Sequence, residues 1–327
     1  MSNIFVRSDV GAFLDMLNAS PAPALHELSP QDGRQFMRSM GEEFDLPVGD
    51  LAVIRDMTCE GPGGALGLRL FDARATREPG PAVIFFHGGG FVIGDLDTHA
   101  PFCAEAARQL DMPVIAVDYR LAPEHPFPAA PEDCEVAARW IAANPDQIGR
   151  NITGMALCGD SAGGTLTIVT AMALRDRPAA VPLLAQFAIY PAADLKHRYP
   201  SHRLFSKGYM LEEASMEWFD AAYKADMESW RASPLMGSQS GMPPTLVLTA
   251  ALDPLRDQGR RYAKACIEQG VPLTFREAAG NIHGFINLAK AIPSTAGDIS
   301  EGMTLFGDMI RRQASLMGLT SDGHYER

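Results

Sequence analysis

The chain predicts an α/β domain built on a mostly parallel sheet with helices on both faces, and three observations carry that prediction. Short runs that are apolar throughout recur along the chain, and longer stretches of helical character separate them. One of those runs ends in Gly159-Asp160-Ser161-Ala162-Gly163, a glycine-flanked serine set between a strand and a helix. A strand buried on both faces shows no polar alternation, and parallel strands need a crossover, usually a helix, that covers one face or the other.

The elements follow in order. Val10, Phe13, Leu14 and Leu17 fall at near-helical spacing, and a second amphipathic run around Phe36, Met37 and Met40 follows the break at Ser20-Pro21-Ala22-Pro23. Residues 1–45 therefore predict two helices packed on a larger body. Leu51 to Thr58 and Leu66 to Phe71 read as strands joined by the turn Gly61-Pro62-Gly63-Gly64. Apolar runs at 82–86, 113–117, 155–158, 185–189 and 245–249 alternate with helical stretches at 100–110, 130–143, 162–175 and 256–269. A last strand at 273–277, with helices around 285–291 and 297–316, completes an eight-stranded pattern. The polar tail Thr320 to Arg327 predicts a frayed end. One segment breaks the rhythm: Asp194 to about Ser233 is dense in aromatics, among them Tyr199, Trp218, Phe219 and Tyr223. It is either a crossover helix with a core face or, together with the N-terminal helices, a lid over a pocket, with Met210, Met216 and Met227 as an adaptable wall.

Composition sets the outer bounds. A chain of 327 residues, 46% hydrophobic and 21% charged, has length for a large core as one large domain or two ordinary ones. A net charge of −12 without any Lys/Arg-rich run argues against nucleic acid and anionic membrane as partners. Cys59, Cys103, Cys134, Cys158 and Cys266 are odd in number and widely spaced, with no CxxC pair and no histidine placed to complete a metal site. They predict reduced core thiols and no metal. The start Met1-Ser2-Asn3-Ile4-Phe5-Val6-Arg7 lacks the basic-then-apolar pattern of a secretory signal, and no apolar run approaches the roughly 20 residues of a membrane span. The expectation is a cytoplasmic protein.

The chemistry gathers at the ends of the predicted strands. Gly-x-Ser-x-Gly between strand and helix is the nucleophile-elbow arrangement: Ser161 sits on a strained turn, and glycines at 159 and 163 let strand and helix pass closely. The amide of Ala162 points at any oxyanion formed beside Ser161, aided by the helix dipole. A serine nucleophile needs a base, and the base an orienting acid. His283, after the last strand, is the one histidine of eight so placed. Asp253 follows its strand directly, and Asp257, a helical turn further on, remains the alternative acid. Directly after the strand 82–86 stands His87-Gly88-Gly89-Gly90-Phe91, whose consecutive glycines let bare backbone N–H groups approach a developing oxyanion. His87 there reads as a residue holding the loop.

Together with Tyr119-Arg120-Leu121-Ala122-Pro123-Glu124-His125-Pro126-Phe127-Pro128-Ala129, Asp253-Pro254-Leu255-Arg256-Asp257 and Ile282-His283-Gly284-Phe285, these motifs closely resemble the hormone-sensitive-lipase family (family IV) of bacterial esterases. The resemblance is to its GDSAG branch, within the α/β-hydrolase superfamily, and the match runs in order from about residue 80 to 285. It implies Ser161 as nucleophile, Asp253 as acid and His283 as base. Gly89, Gly90 and Ala162 become the oxyanion amides and Gly88 shapes the loop, while Asp160 and Glu124 are buried polar partners bracing elbow and loop. It also implies a helical cap. The domain plan is then 1–45 for N-terminal cap helices, 46–193 for the first part of the core, 194–233 for the cap insertion, 234–320 for the second part and 321–327 for the tail.

The expected function is hydrolysis of short- to medium-chain acyl esters through an acyl-enzyme, without metal or cofactor, on a small-molecule ester. An amide- or lactone-cleaving hydrolase would use the same triad. A non-catalytic ligand-binding protein on this fold, as in plant hormone receptors resembling the family, would be expected to have lost a triad member. A structural domain has no use for five co-ordered motifs. The strand at 273–277, if it is the last of the sheet, leaves an edge on which a homodimer could form.

Overall fold

A computed structural model describes residues 4–319, so the frayed tail expected from Thr320 onward lies outside the described residues. One eight-stranded sheet runs through them in the order β1-β2-β4-β3-β5-β6-β7-β8. The strands are β1 Val53–Gly61, β2 Gly64–Asp72, β3 Gly80–Phe86, β4 Val114–Asp118, β5 Ile152–Asp160, β6 Leu183–Ile189, β7 Thr245–Leu252 and β8 Leu273–Ile282. β1 and β2 form an antiparallel hairpin closed at Gly61 and Gly64, β2 runs antiparallel to β4, and every other pairing is parallel.

The uninterrupted apolar runs have a simple cause. In β3, Ala82, Ile84 and Phe86 enter one core while Val83 and Phe85 enter another. In β5, Met155 and Leu157 part from Ala156 and Cys158 in the same way. Successive side chains point to opposite faces, and both faces are covered. Helices α3 Ala100–Leu110 and α9 Thr295–Leu316 cover one. Helices α4 Ala129–Ala142, α5 Ala162–Asp176 and α8 Arg256–Glu268 cover the other. All five cysteines are buried and unpaired in these layers. Because β3 and β5 through β8 are parallel, the segments that follow them emerge at one edge of the sheet, the usual place for a site in such folds. Among the described residues no helix is long and apolar enough to cross a membrane.

The remaining helices lie outside these layers. α1 Ser8–Ala19 and α2 Pro30–Phe44 open the chain, the second with Pro30 at its first position and Ser29 as N-cap, its Oγ accepting from Asp32 N. α6 Pro200–Leu204 and α7 Glu213–Tyr223 occupy the aromatic-rich segment. Val10, Phe13 and Leu14 of α1 pack with Phe205, Leu252, Ile282 and Leu288, which ties α1 to the carboxyl ends of β7 and β8.

One expected helix is absent. Residues 285–291 hold only a single 3-10 turn, Phe285–Asn287. The backbone N–H groups of Lys290 and Ala291 donate to Phe44 O, at 3.1 and 3.0 Å, instead of continuing a helix. The C-terminal end of α2 thus captures the donors a helix would need.

The same junction holds Asp45, 5% exposed. Its Oδ1 accepts from Leu46 N (2.8 Å) and Ala289 N (3.3 Å), and its Oδ2 has no partner among the described residues. Burial pushes its carboxyl up to about 6, against those two hydrogen bonds. The folded-state pKa exceeds the unfolded one, so folding favours the protonated form. This contribution is fully present below the unfolded value and is lost as pH rises through about 6. Asp45→Asn should therefore raise stability by about 1–2 kcal/mol near pH 8, with the gain shrinking toward about pH 5. Urea unfolding at the two pH values measures it, and an equal gain at both removes this account.

Candidate active site

The site starts from one crowded contact. A Cβ on Gly163 would lie 1.9 Å from Phe86 O, and one on Gly159 would lie 2.3 Å from Gly163 O and 2.6 Å from Phe86 O. Glycine is required at both positions because the end of β3, the end of β5 and the first turn of α5 press together as bare backbone. Between the two glycines Ser161 adopts φ 53° and ψ −118°, a strained conformation for a residue with a Cβ. Its own N–H donates to Ile189 O (2.9 Å) and its carbonyl accepts from Thr165 N (3.1 Å), which holds the turn. Ala162 is the first residue of α5, where N–H groups have no intrahelical acceptor.

Two further strand ends meet Ser161. His283, just past β8, places Nε2 2.8 Å from Ser161 Oγ, and its Nδ1 lies 2.7 Å from Asp253 Oδ2. Asp253 is wholly buried just past β7, and its Oδ1 accepts from Leu255 N at 2.7 Å. A carboxylate only accepts, so the Nδ1 proton is donated to Asp253 and Nε2 is left as acceptor for the serine hydroxyl. Asp257 is elsewhere: its oxygens bond Ser201 N and the Arg256 guanidinium. The geometry joins Asp253, and not Asp257, to His283.

The glycine loop stands beside them. His87 is buried, its Nδ1 donates to Gly88 O (2.7 Å), and its ring stacks on Tyr119 at 4.2 Å. Burial, with His99 nearby, pulls its pKa down to about 4, so it is neutral in ordinary buffers. Gly88 N donates to Asp160 Oδ1 (2.7 Å), and a Cβ at Gly88 would lie 2.4 Å from Asp160 Oδ2. Gly89 has φ +114°, and a Cβ there would lie 2.1 Å from Ile93 O. Gly90 lies under the ring of Phe219.

Asp160 is buried among partners. Its Oδ1 is 3.3 Å from His99 Nε2, and its Oδ2 accepts from Tyr190 OH at 3.4 Å. Burial works to raise its pKa, but the charge and hydrogen bond of His99 hold it below the usual carboxylate value. His99 and Tyr190 carry no signal in the sequence: one is a lone histidine in a loop, the other the residue after β6. Yet Tyr190, at φ 33°, sets its ring 4.6 Å from that of His283.

Glu124 departs from expectation, because its side chain is 54% exposed rather than buried. The reason is a partner the motif does not contain. Arg34 on α2 reaches across to bond both Glu124 oxygens (2.9 and 2.6 Å), and it also donates to Val92 O (2.9 Å) and Ala122 O (3.0 Å). Paired with so long a cation at the surface, the carboxylate stays in water while the guanidinium braces the segment behind the glycine loop.

Gly89, Gly90, Asp160, Ser161, Ala162 and His283 share a cavity of about 200 Å³. Leu25, Phe36 and Met37 line it from the N-terminal segment, and Met210, Met216 and Phe219 from the 194–233 segment. Met227, expected in the same wall, does not line it and is 36% exposed.

Two glycine substitutions test the crowding. Gly163→Ala forces a Cβ onto the Phe86 carbonyl and should cost about 3 kcal/mol or more. Gly297→Ala in the first turn of α9, where a Cβ meets open space, should be neutral or stabilise by up to about 1 kcal/mol. Chemical denaturation of both variants checks the contrast, and equal losses would contradict it.

Known proteins resemble this chain in sequence and fold. The family model described as alpha/beta hydrolase fold matches residues 83–287. Esterase LipI of Mycobacterium tuberculosis is 34% identical over 301 residues, covering 89% of this chain and 92% of its own. Ethyl acetate hydrolase of Pseudomonas putida is 34% identical over 324 residues, covering 93% and 98%. Among solved structures, an ester-hydrolase from the metagenome of Lake Arreo superposes with a TM-score of 0.88 at 35% identity, covering 93% of this chain and 98% of that one. The hyperthermophilic esterase from the archaeon Pyrobaculum calidifontis gives 0.87 at 34% identity, covering 94% and 99%. The chain belongs to the hormone-sensitive-lipase family of the α/β-hydrolase superfamily and is a carboxylic ester hydrolase.

Proposed function

We propose that this ester hydrolase cleaves short- to medium-chain acyl esters, with Ser161 as nucleophile, His283 as general base and acid, and Asp253 as the orienting carboxylate. The observation that carries the proposal is the continuous chain Ser161 Oγ, His283 Nε2, His283 Nδ1, Asp253 Oδ2, with links of 2.8 and 2.7 Å, opening into a cavity. Ser161 Oγ attacks the ester carbonyl carbon while its proton passes to His283 Nε2. The carbonyl electron pair moves onto oxygen, where the amides of Gly89, Gly90 and Ala162 receive it. Collapse of that oxyanion breaks the bond to the alkoxide, which leaves with the proton from His283. Water then attacks the acyl-enzyme by the same proton path and releases the acid. Asp253 fixes the imidazole tautomer and stabilises its cation.

Short to medium acyl chains are favoured by the small cavity and by the cap-side residues that enclose it. A relative aligned over 93% of the chain is named for a small ester, ethyl acetate. Gly88 acts indirectly in this scheme. Its N–H is committed to Asp160, so it positions the loop while its neighbours face the substrate.

Hydrolysis of p-nitrophenyl esters from acetyl to palmitoyl tests the assignment. The rate should peak at short or middle chain length, and Ser161→Ala should lower kcat by about 10⁶-fold and Asp253→Asn by about 10⁴-fold. Asp257→Asn should change it by less than about tenfold. A peak at palmitoyl rejects the chain length, and no turnover of any ester by a folded wild type moves the target to an amide or lactone.

A further inference from the structure

The cavity beside Ser161 is lined by apolar side chains, among them Leu25, Phe36, Met37 and Met40, and by a polar group, Asp194, Arg198, His202, Asp220 and Gln258. These polar residues are not remote: Asp220 follows Phe219, whose ring lies on Gly90. Asp194 begins two residues past Ala192, whose N–H faces Ser161 O at 3.5 Å.

Within this polar group one pair is loosely joined. Arg198 Nη2 and Asp220 Oδ2 are 3.7 Å apart, beyond the reach of a good hydrogen bond. The Asp220 side chain is 26% exposed, and burial raises its pKa against the pull of Arg198. Asp194, by contrast, is saturated by its own turn, accepting from Lys196 N, His197 N, His197 Nδ1 and Tyr199 OH. His202 Nε2 faces two donors, Arg198 Nη1 and Gln258 Nε2, each at 3.4 Å, and its Nδ1 faces Tyr199 N at 3.4 Å. Burial and the Arg198 charge both lower its pKa, which keeps the ring neutral.

The charges decide what the pair takes. An anionic group brought to Arg198 would also meet Asp220, with no second cation among the residues that line the cavity to balance it. A cationic group brought to Asp220 would meet Arg198. A neutral hydroxyl seated beside the pair can accept from Arg198 and donate to Asp220 at once, in the place of a bridging water. We propose that the Arg198–Asp220 pair is a hydroxyl-binding subsite, so that the preferred substrates are esters with one apolar and one hydroxyl-bearing substituent. The proposal rests on Ser161 being the site of ester cleavage and extends it to substrate class.

Two matched sets of esters test it. Acetates of unbranched alcohols of about three to six carbons are compared with their ω-hydroxy, ω-carboxy and ω-trimethylammonio analogues. Methyl hexanoate is compared likewise with methyl 6-hydroxyhexanoate and monomethyl adipate. In at least one set and at one chain length, the hydroxyl analogue should exceed the alkyl ester in kcat/KM by about tenfold, and both charged analogues should fall below the hydroxyl one. In Arg198→Leu/Asp220→Leu the hydroxyl-to-alkyl ratio, read within that enzyme, should fall to about one or lower. Arg198→Gln/Asp220→Asn, which keeps one donor and one acceptor, should keep part of the preference. The same pairs titrated calorimetrically into Ser161→Ala read the preference as binding, independent of turnover. Absence of turnover on p-nitrophenyl acetate would count against the triad assignment, whereas the titration would still judge the subsite. A hydroxyl analogue no better than alkyl at every length in both sets, or a ratio unchanged in the double leucine variant, overturns the proposal.

Discussion

The site depends on bare backbone meeting bare backbone at Phe86, Gly159 and Gly163. No side chain fits where the Phe86 carbonyl approaches Gly163, so the end of β3 and the elbow after β5 are held at a separation only glycine permits. That closeness brings the loop after β3 alongside the serine after β5. It also explains how Ser161 can sit at a positive φ: the flanking strand and helix are packed in the core and over-determine the turn between them. The strain is local, and the burial that opposes it is spread over two large apolar layers.

A second constraint is electrostatic. Asp160 is almost wholly removed from water yet lies below its usual pKa, because the charge and hydrogen bond of His99 outweigh its burial, while Tyr190 and the Gly88 amide bond its oxygens. A buried charge is tolerated when its partners are fixed, and losing one partner exposes the rest to the desolvation cost. The carboxylate therefore ties loop to elbow more firmly than a neutral contact would. His87, neutral and stacked on Tyr119, completes the support from the other side without adding charge.

The segments outside the sheet layers give the cavity its character. α2 reaches the loop region through Arg34, which bonds Val92 O and Ala122 O as well as Glu124, and through Arg38, which bonds Asp95 at 2.6 Å. Its apolar side faces the cavity while these arginines hold its position. The 194–233 segment contributes apolar residues, Phe219 on Gly90 among them, together with the charged Asp194, Arg198 and Asp220.

The sheet, its parallel sense and the elbow were legible in the sequence, because local pattern causes each of them. A strand covered on both faces reads as an unbroken apolar run, as at 82–86. The need for glycine at 159 and 163 is written as glycine. The order of Ser161, Asp253 and His283 after successive strands was likewise visible, although Asp253 and Asp257 remained alternatives until geometry joined Asp253 to His283 at 2.7 Å. What the sequence could not contain is contact between distant segments. The single turn at 285–287 follows from Phe44, more than two hundred positions earlier, capturing the backbone donors. The exposure of Glu124 follows from Arg34, and His99 and Tyr190 acquire meaning only beside Asp160. Motifs and periodicity report what each stretch does with its own neighbours in the chain. Which polar side chains line the cavity, and which carboxylate meets the histidine, were decided by packing between elements that share no local signal.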